Sequence, residues 1–306
     1  SDNVQANITG DISSSSIEHR VQCKDGSFLW VLGRGMVVQR DEQGKALRMV
    51  GTITDISERK NIDRMKSEFI STVSHELRTP LTSIRGSLGL LEGGVFGNLP
   101  SKALDLIKIA NKNSHRLVLL VNDILDMDKL VAGKMEILTD QINLLDVAEA
   151  AIEANSAYAA SYHVRYLLAP VQRQPRPMVK ADANRLMQVL TNLLSNAAKF
   201  SHSNGVVDIR ILSEADFYRI EVEDRGDGIP IEFRSQIFGA FSQAGSANTR
   251  QQGGTGLGLN ISKKLVGHMG GEMGYTSEVG KGTTFWFTVP TVKEESLLAS
   301  ARLHDA

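Results

Sequence analysis

The chain has 306 residues, of which 42% are hydrophobic, a formal net charge of −1, and a single cysteine, Cys23. This length suits two or three domains better than one, and the composition is that of a globular protein. A charge near zero gives no electrostatic footprint for nucleic acid or an anionic membrane, and one cysteine excludes an internal disulfide and a Cys-rich zinc site.

No apolar run approaches the ~20 residues that span a bilayer, and no signal peptide is present. The chain opens in polar sequence without a Met. The expectation is a cytoplasmic piece of a longer protein, with attachment of that parent to the inner membrane left open. Residues 1–16 end in four serines and read as a flexible segment. Three strands are predicted over 17–23, 27–40 and 45–56, separated by the turn signals Lys24-Asp-Gly26 and Asp41-Glu-Gln-Gly44. Glu18-His-Arg20, Lys24-Asp-Gly26, Trp30, Gly51 and Asp55-Ile-Ser-Glu-Arg-Lys60 resemble the C-terminal half of a PAS sensor domain.

From Ser57 the period becomes helical. Ile62, Met65, Phe69, Val73, Leu77, Leu81, Ile84, Leu88, Leu91 and Val95 step mostly by three and four. Residues 92–100 break the pattern with three glycines and Pro100. A second stripe follows through Leu104, Ile107, Leu117, Val121, Ile124, Leu125 and Leu130, with Gly133 as its stop. Two long helices joined by a short turn make a hairpin with one apolar face. Two hairpins close that face as a four-helix bundle, so a homodimer is expected. Pro80 removes one helical amide, which predicts a bend there.

Past Gly133 the texture is mixed. Helices are predicted over 143–161, 182–200 and 259–269. Strands are predicted over 165–169, 179–181, 206–212, 218–223, 272–276 and 283–289. This mix points to an α/β sandwich, one sheet with helices on one face. Residues 293–306 read as a tail or linker. The fold class is therefore multidomain α+β. Its parts are a partial PAS sheet over 1–56, a helical-hairpin dimerisation domain over 57–133 and an α/β-sandwich nucleotide domain over 134–292.

Three stretches carry chemistry. On the helix over 182–200, Leu186, Leu190, Leu193 and Ala197 form an apolar face, while Arg185, Gln188, Asn192, Asn196 and Lys199 form a polar one. Asn oxygens suit Mg²⁺ and an ammonium suits phosphate, although a solvated helix face has the same pattern. Asp224-Arg-Gly-Asp-Gly228 follows a strand. Its first Asp can accept from an exocyclic amine and its glycines admit a flat base, although Asp/Gly turns are common. Gly253-Gly-Thr-Gly-Leu-Gly258 opens a helix, a natural phosphate cradle. The small polar residues before it read as a lid, in which Arg250 is the cation best placed to meet phosphate, although a solvated loop arginine fits as well.

The order of these parts is specific. Ser74-His-Glu-Leu-Arg-Thr-Pro80 matches the H box of the sensor histidine kinases, and Asn192-Leu-Leu-Ser-Asn-Ala-Ala-Lys-Phe200 their N box. Asp224-Arg-Gly-Asp-Gly-Ile-Pro230 matches the G1 box, Ile237-Phe-Gly-Ala-Phe241 the F box, and Gly253-Gly-Thr-Gly-Leu-Gly-Leu259 the G2 box. Over about 57–292 the chain resembles that family, whose nucleotide fold is shared with gyrase, Hsp90 and MutL.

The resemblance implies that His75 attacks ATP through Nε2, that Glu76 takes or holds the Nδ1 proton, and that Thr79 orients water when the partner is dephosphorylated. It assigns Asn196, with Asn192 beside it, to Mg²⁺, Lys199 to phosphate and Asp224 to the adenine amine. Gly226 and Gly228 shape the base pocket, and Gly254, Thr255, Gly256, Leu257 and Gly258 shape the phosphate side. It further implies phosphotransfer to an aspartate of a response-regulator receiver domain. A phosphatase-dominant enzyme and a non-catalytic ATP-gated dimeric scaffold are the alternatives. His19, His115, His163, His202, His268 and His304 are scattered and read as structural or solvated.

Overall fold

The computed structural model describes residues 15–95, 97, 99–170, 176–242 and 255–292. The expected N-terminal flexible segment, Arg250, Gly253, Gly254 and the tail over 293–306 lie outside the described residues. Backbone packing divides the chain into two compact units that meet between Glu76 and Leu77.

In the first unit, β1 (Ser15–Gln22), β2 (Phe28–Arg40) and β3 (Ala46–Asp55) form an antiparallel sheet in that order. The predicted turns hold. Gly26 and Gly44 take φ of +86° and +83°, which a side chain would resist. Asp25 Oδ1 accepts from the Ser27 amide at 3.0 Å, and Asp41 Oδ1 from the amides of Gln43 at 3.0 Å and Lys45 at 2.8 Å. Cross-strand register places Val31 and Gly33 opposite Asp55 and Ile53. Many apolar side chains of this sheet stay exposed, among them Phe28, Leu47, Met49 and Ile53. A single sheet that leaves apolar side chains uncovered on both faces fits a partial PAS domain.

Helix α1 (Ser57–Glu92) leaves β3 through a tightly tied corner. Asp55 Oδ1 accepts from the Ser57 amide at 2.8 Å, the Ile56 amide donates to the Trp30 carbonyl at 2.8 Å, and Ser57 Oγ accepts from the Trp30 amide at 3.0 Å. Glu18 of β1 pairs with Arg59 and, at 2.6 Å, with Lys60. Lys60 first, then Arg59, holds the Glu18 carboxyl below its ordinary value. The Lys60 ammonium also lies 5.2 Å from the Trp30 ring centre. α1 is continuous through Pro80.

In the second unit, the C-terminal part of α1 pairs with α2 (Ser101–Val131). Arg78 Nη2 donates to Asn122 Oδ1 at 2.9 Å, and Asn111 Nδ2 to Glu92 Oε2 at 2.7 Å. Leu77, Ile84, Leu106, Ile109 and Leu117 of this hairpin remain exposed. α2 stops as expected, with Gly133 at φ +64° and the Lys134 amide bonded back to the Lys129 carbonyl at 2.9 Å.

The nucleotide domain follows. β4 (Asp140–Asn143) pairs with β6 (Met178–Ala181). A five-stranded sheet is made of β5 (Arg165–Leu168), β7 (Val206–Ser213), β8 (Phe217–Asp224), β10 (Gly282–Pro290) and β9 (Met273–Glu278), in that spatial order. Only β5 and β7 run parallel. α3 (Leu144–Ser161) packs on β5, α4 (Ala183–Phe200) on β8 and β7, and α5 (Gly258–His268) on β9 and β10.

Strand alternation explains the layering. Val207, Ile209, Ile220, Val222, Phe285 and Phe287 point under the helices and are buried. On the other face Arg210 pairs with Glu221 and Glu223 at 3.1 and 2.6 Å, and Arg219 lies 4.1 Å from the centre of the Trp286 ring.

β4 was not foreseen, because Asp-Gln-Ile-Asn carries no strand signal. It is strand only through its pairing with β6. Helix α3 consequently starts one residue later than the sequence suggests, with Asn143 as its N-cap, accepting from the Leu145 amide at 3.1 Å.

Asp182 caps α4 and does more. Its Oδ1 accepts from the amides of Asn184 at 3.0 Å and Arg185 at 3.1 Å, and its Oδ2 from the Leu138 amide at 3.1 Å. It is 7% exposed. Asp182→Ala is expected to destabilise this domain by about 2 kcal/mol or more, the loss of a cap plus a further buried bond. Urea unfolding of the whole chain measures it, and Asp182→Asn should recover only the cap, because its Nδ2 donates and cannot accept from the Leu138 amide.

Candidate active site

His75 is an exposed residue on α1, with Glu76 beside it and Thr79 four positions on from His75, one helical turn away, both exposed. The helix presents the imidazole to solvent.

The nucleotide domain gathers two clusters. The first surrounds Asp224, at the end of β8 and 5% exposed. Its Oδ1 accepts from the amides of Gly226 at 3.0 Å and Thr283 at 3.3 Å. Burial pushes its carboxyl up to about 6, against the pull of those two amides. Gly226 is bridged to Ser201 just past α4, and a Cβ on it would fall 2.0 Å from the Phe200 carbonyl oxygen. Gly228, at φ +72°, has the Glu278 carbonyl oxygen 2.3 Å from where its Cβ would be. The Asp-x-Gly-x-Gly turn is therefore pressed between the end of α4 and the β9–β10 hairpin.

The second cluster lies where α4 meets the start of α5. Asn192 Nδ2 donates to the buried Ser262 Oγ at 3.0 Å, and Asn196 Nδ2 to Asn192 Oδ1 at 3.3 Å. A Cβ on Gly258 would lie 2.3 Å from Asn192 Oδ1. A Cβ on Gly256, at φ +70°, would lie 2.8 Å from the Phe241 carbonyl carbon, in the F-box stretch. Asn260 Nδ2 donates to the Phe238 carbonyl at 2.6 Å. Lys199 is half-buried with its ammonium 4.5 Å from the centre of the Phe200 ring. Burial first, then the neighbouring Arg116, lowers its basicity.

Thus Asn192, Asn196, Thr255, Gly256, Leu257 and Gly258 come together at one helix junction. Asp224, Gly226 and Gly228 form the adjoining turn, linked to the first group through Phe200–Ser201. Thr283 and Ser277 escaped the sequence reading. The Thr283 amide holds Asp224, and Ser277 Oγ accepts from the Ile229 amide at 2.8 Å and lies 3.0 Å from Thr283 Oγ1. Nothing local marks them, since they reach Asp224 only through strand pairing.

Arg185 and Gln188 were read as part of the same polar face as the asparagines. The structure places them against α2 instead. Arg185 Nη1 lies 3.4 Å from Asp126, and Gln188 Nε2 donates to Asp126 Oδ2 at 2.8 Å.

The residues fit ATP. Gly256 and Gly258 bring the backbone against Phe241 and Asn192, and α5 begins there, so its first amides can meet phosphate. Asp224 offers a buried acceptor. Among the described residues no group of three or more His, Cys, Asp or Glu could hold a metal ion. A Mg²⁺ here would rest on carboxamide oxygen and on the nucleotide's own phosphates. No helix of the described residues is long and apolar enough to cross a membrane.

Asp224 sets a pH dependence. Its folded-state value is raised, so its contribution to stability is full below the ordinary carboxylate range and is lost as pH rises through about 6. Asp224→Asn, which keeps the shape, should therefore stabilise the fold at pH 8 by on the order of 2 kcal/mol. Thermal unfolding at pH 8, 6 and 4.5 should show that advantage shrinking as pH falls.

Three family models match. Residues 181–293 match the histidine kinase-, DNA gyrase B- and HSP90-like ATPase, residues 65–133 the His Kinase A (phospho-acceptor) domain, and residues 1–53 the PAS fold. Hybrid signal transduction histidine kinase A of Dictyostelium discoideum is 36% identical over 94% of this chain, which spans 14% of that relative. Circadian input-output histidine kinase CikA of Synechococcus elongatus is 37% identical over 74% of the chain, which spans 30% of it. The solved structure of full-length ShkA in complex with AMPPNP aligns with a TM-score of 0.59 and 31% identity, covering 74% of this chain and 46% of that one. With the phospho-acceptor and ATPase models matched in that order on a hairpin and a two-layer nucleotide domain, the chain belongs to the sensor histidine kinases.

Proposed function

We propose that this chain phosphorylates its own His75 from Mg-ATP and then passes the phosphoryl group to an aspartate of a response-regulator receiver domain. The observation that carries the reading is an exposed imidazole on a long hairpin helix, in one chain with a domain that matches the ATPase family model and sets its Asp224 turn beside a glycine-rich helix start. The proposed division of labour is a PAS part over 1–56, the phospho-acceptor hairpin over 57–133, the catalytic domain over 134–292 and a tail over 293–306.

The His75 Nε2 lone pair forms the new N–P bond, and the bond from the γ-phosphorus to its bridging oxygen breaks, releasing ADP. Glu76 holds the Nδ1 proton and so balances the charge on the ring. Asp224 accepts from the adenine amine, Gly226 and Gly228 let the base lie close, and Lys199 meets phosphate. Thr255, Gly256, Leu257 and Gly258 frame the phosphates at the start of α5, and Arg250 and Gly254, before them in the sequence, would serve the same phosphates. Asn196, with Asn192 beside it, would hold Mg²⁺, which when bound neutralises charge on the β- and γ-phosphates.

In the second step an aspartate oxygen of the receiver attacks phosphorus and the N–P bond breaks, returning neutral imidazole. Thr79 would orient water for the reverse function, removal of phosphate from the partner. Exposed Leu77, Ile84, Leu106 and Leu117 support a homodimer closed as a four-helix bundle. The net charge of −1 argues against a nucleic-acid partner, and the reading places this part of the protein in the cytoplasm. Incubation with γ-labelled ATP and Mg²⁺ tests the proposal. Label on the chain should be acid-labile and base-stable, and should leave the chain when a cognate receiver domain is added. Absence of label under any activating condition would sink it.

A further inference from the structure

We infer that Asp123 is a latch on the nucleotide site. It holds the root of the glycine-rich segment against α2 through Thr255, and nucleotide phosphate binds in competition with that contact. The inference rests on the reading that ATP phosphates lie at the start of α5.

The Thr255 hydroxyl has one proton to give and lone pairs to accept with. The proton goes to Asp123 Oδ2 at 2.8 Å, and a lone pair takes the Leu257 amide at 3.1 Å. With its donor engaged, the hydroxyl has none to offer an anion arriving there. That anion also meets a carboxylate one hydrogen bond away.

Asp123 is itself poorly placed to be a permanent clamp. Burial pushes its carboxyl up, the Thr255 hydroxyl opposes that shift, and the neighbouring Asp126 adds to it. The rest of the contact is polar as well. Asp126 takes Gln188 Nε2 at 2.8 Å and Arg185 at 3.4 Å, and Lys264 Nζ lies 3.6 Å from Met127 Sδ. Half-buried polar contacts of this kind exchange with water at small net cost, so the face can open. It lies immediately before the stretch 132–139 that links the hairpin to the nucleotide domain. A chain that must carry its nucleotide to an imidazole needs this face to release.

The test is calorimetric titration of the whole chain with Mg-ADP. Asp123→Asn and Asp123→Ala should each tighten binding about 3- to 10-fold, the net scale of one ordinary hydrogen bond. Arg185→Ala, which loosens the same face from the other side, should move affinity in the same direction. Limited proteolysis within 132–139 should speed up when Mg-ADP is added to the wild type, and should already be fast in Asp123→Ala without it. If wild type binds Mg-ADP and the Asp123 variants bind it equally or more weakly, the latch is refuted while the kinase reading stands. If wild type does not bind Mg-ADP at all, both fall. Should one Asp123 variant not fold, the other and Arg185→Ala decide the matter.

Discussion

His75→Gln should reduce phosphoryl incorporation from labelled ATP by about 1,000-fold or more, to the limit of detection, because the proposed N–P bond forms at this ring and a carboxamide nitrogen has no lone pair to offer in its place. The prediction is sharp because His75 is exposed on the middle of a continuous helix. Gln is a good helix former, so the fold should not suffer. Nucleotide affinity should also stay unchanged, since the base and phosphate clusters sit on other elements. Loss of labelling with intact Mg-ADP binding is therefore the expected pair of results. Residual base-stable label in the variant would place the acceptor on another residue and overturn the assignment.

Gly226→Ala should weaken Mg-ADP binding by about 100-fold or more, roughly 3 kcal/mol. The added carbon would stand 2.0 Å from the Phe200 carbonyl oxygen and 3.1 Å from Asp224 Oδ1. The first contact is with backbone, so the side chain cannot simply rotate away. Either the Ser201–Gly226 bridge opens or Asp224 shifts, and each displaces the carboxylate proposed to meet the base. Gly267→Ala is the control. It lies late in α5 with nothing within 4 Å of the added carbon, so it should leave binding alone and stabilise the helix by about 0.5–1 kcal/mol. Titration of both variants with Mg-ADP, alongside their unfolding curves, separates a local steric effect from a general loss of fold. Equal affinity of Gly226→Ala and wild type would mean that the turn is looser than its packing implies.

Much of the fold was legible because its elements carry their own signals. α4 shows it best. Leu186, Leu190, Leu193 and Ala197 announce a buried face, and Asp182 announces where the helix starts. The hairpin turns at Gly26 and Gly44 and the stop at Gly133 are likewise local, since each is a backbone conformation that glycine accepts and other residues resist. β4 had no such signal, because a four-residue strand of polar character exists only where a partner strand offers its edge. Spacing put Arg185, Gln188, the two asparagines and Lys199 on one polar face, but it could not say that Arg185 and Gln188 meet Asp126 while Asn192 meets Ser262. One helix face serves two neighbours, α5 along part of its length and α2 along another, and periodicity cannot tell them apart.

The sequence by itself determined the parts: a histidine on a long amphipathic helix, a carboxamide-bearing helix, an Asp-Gly turn and a glycine-rich helix start, in the order a histidine kinase requires. The tertiary structure alone decided how they are held. It joins Gly226 to Ser201, Asp224 to Thr283 and Gly258 to Asn192, and it sets Thr255 against Asp123 across 132 positions of chain. The physical reason is range. Caps, turns and apolar stripes act between residues a few positions apart, whereas steric close approach and hydrogen bonds between side chains arise only after the chain has folded and distant segments share a surface.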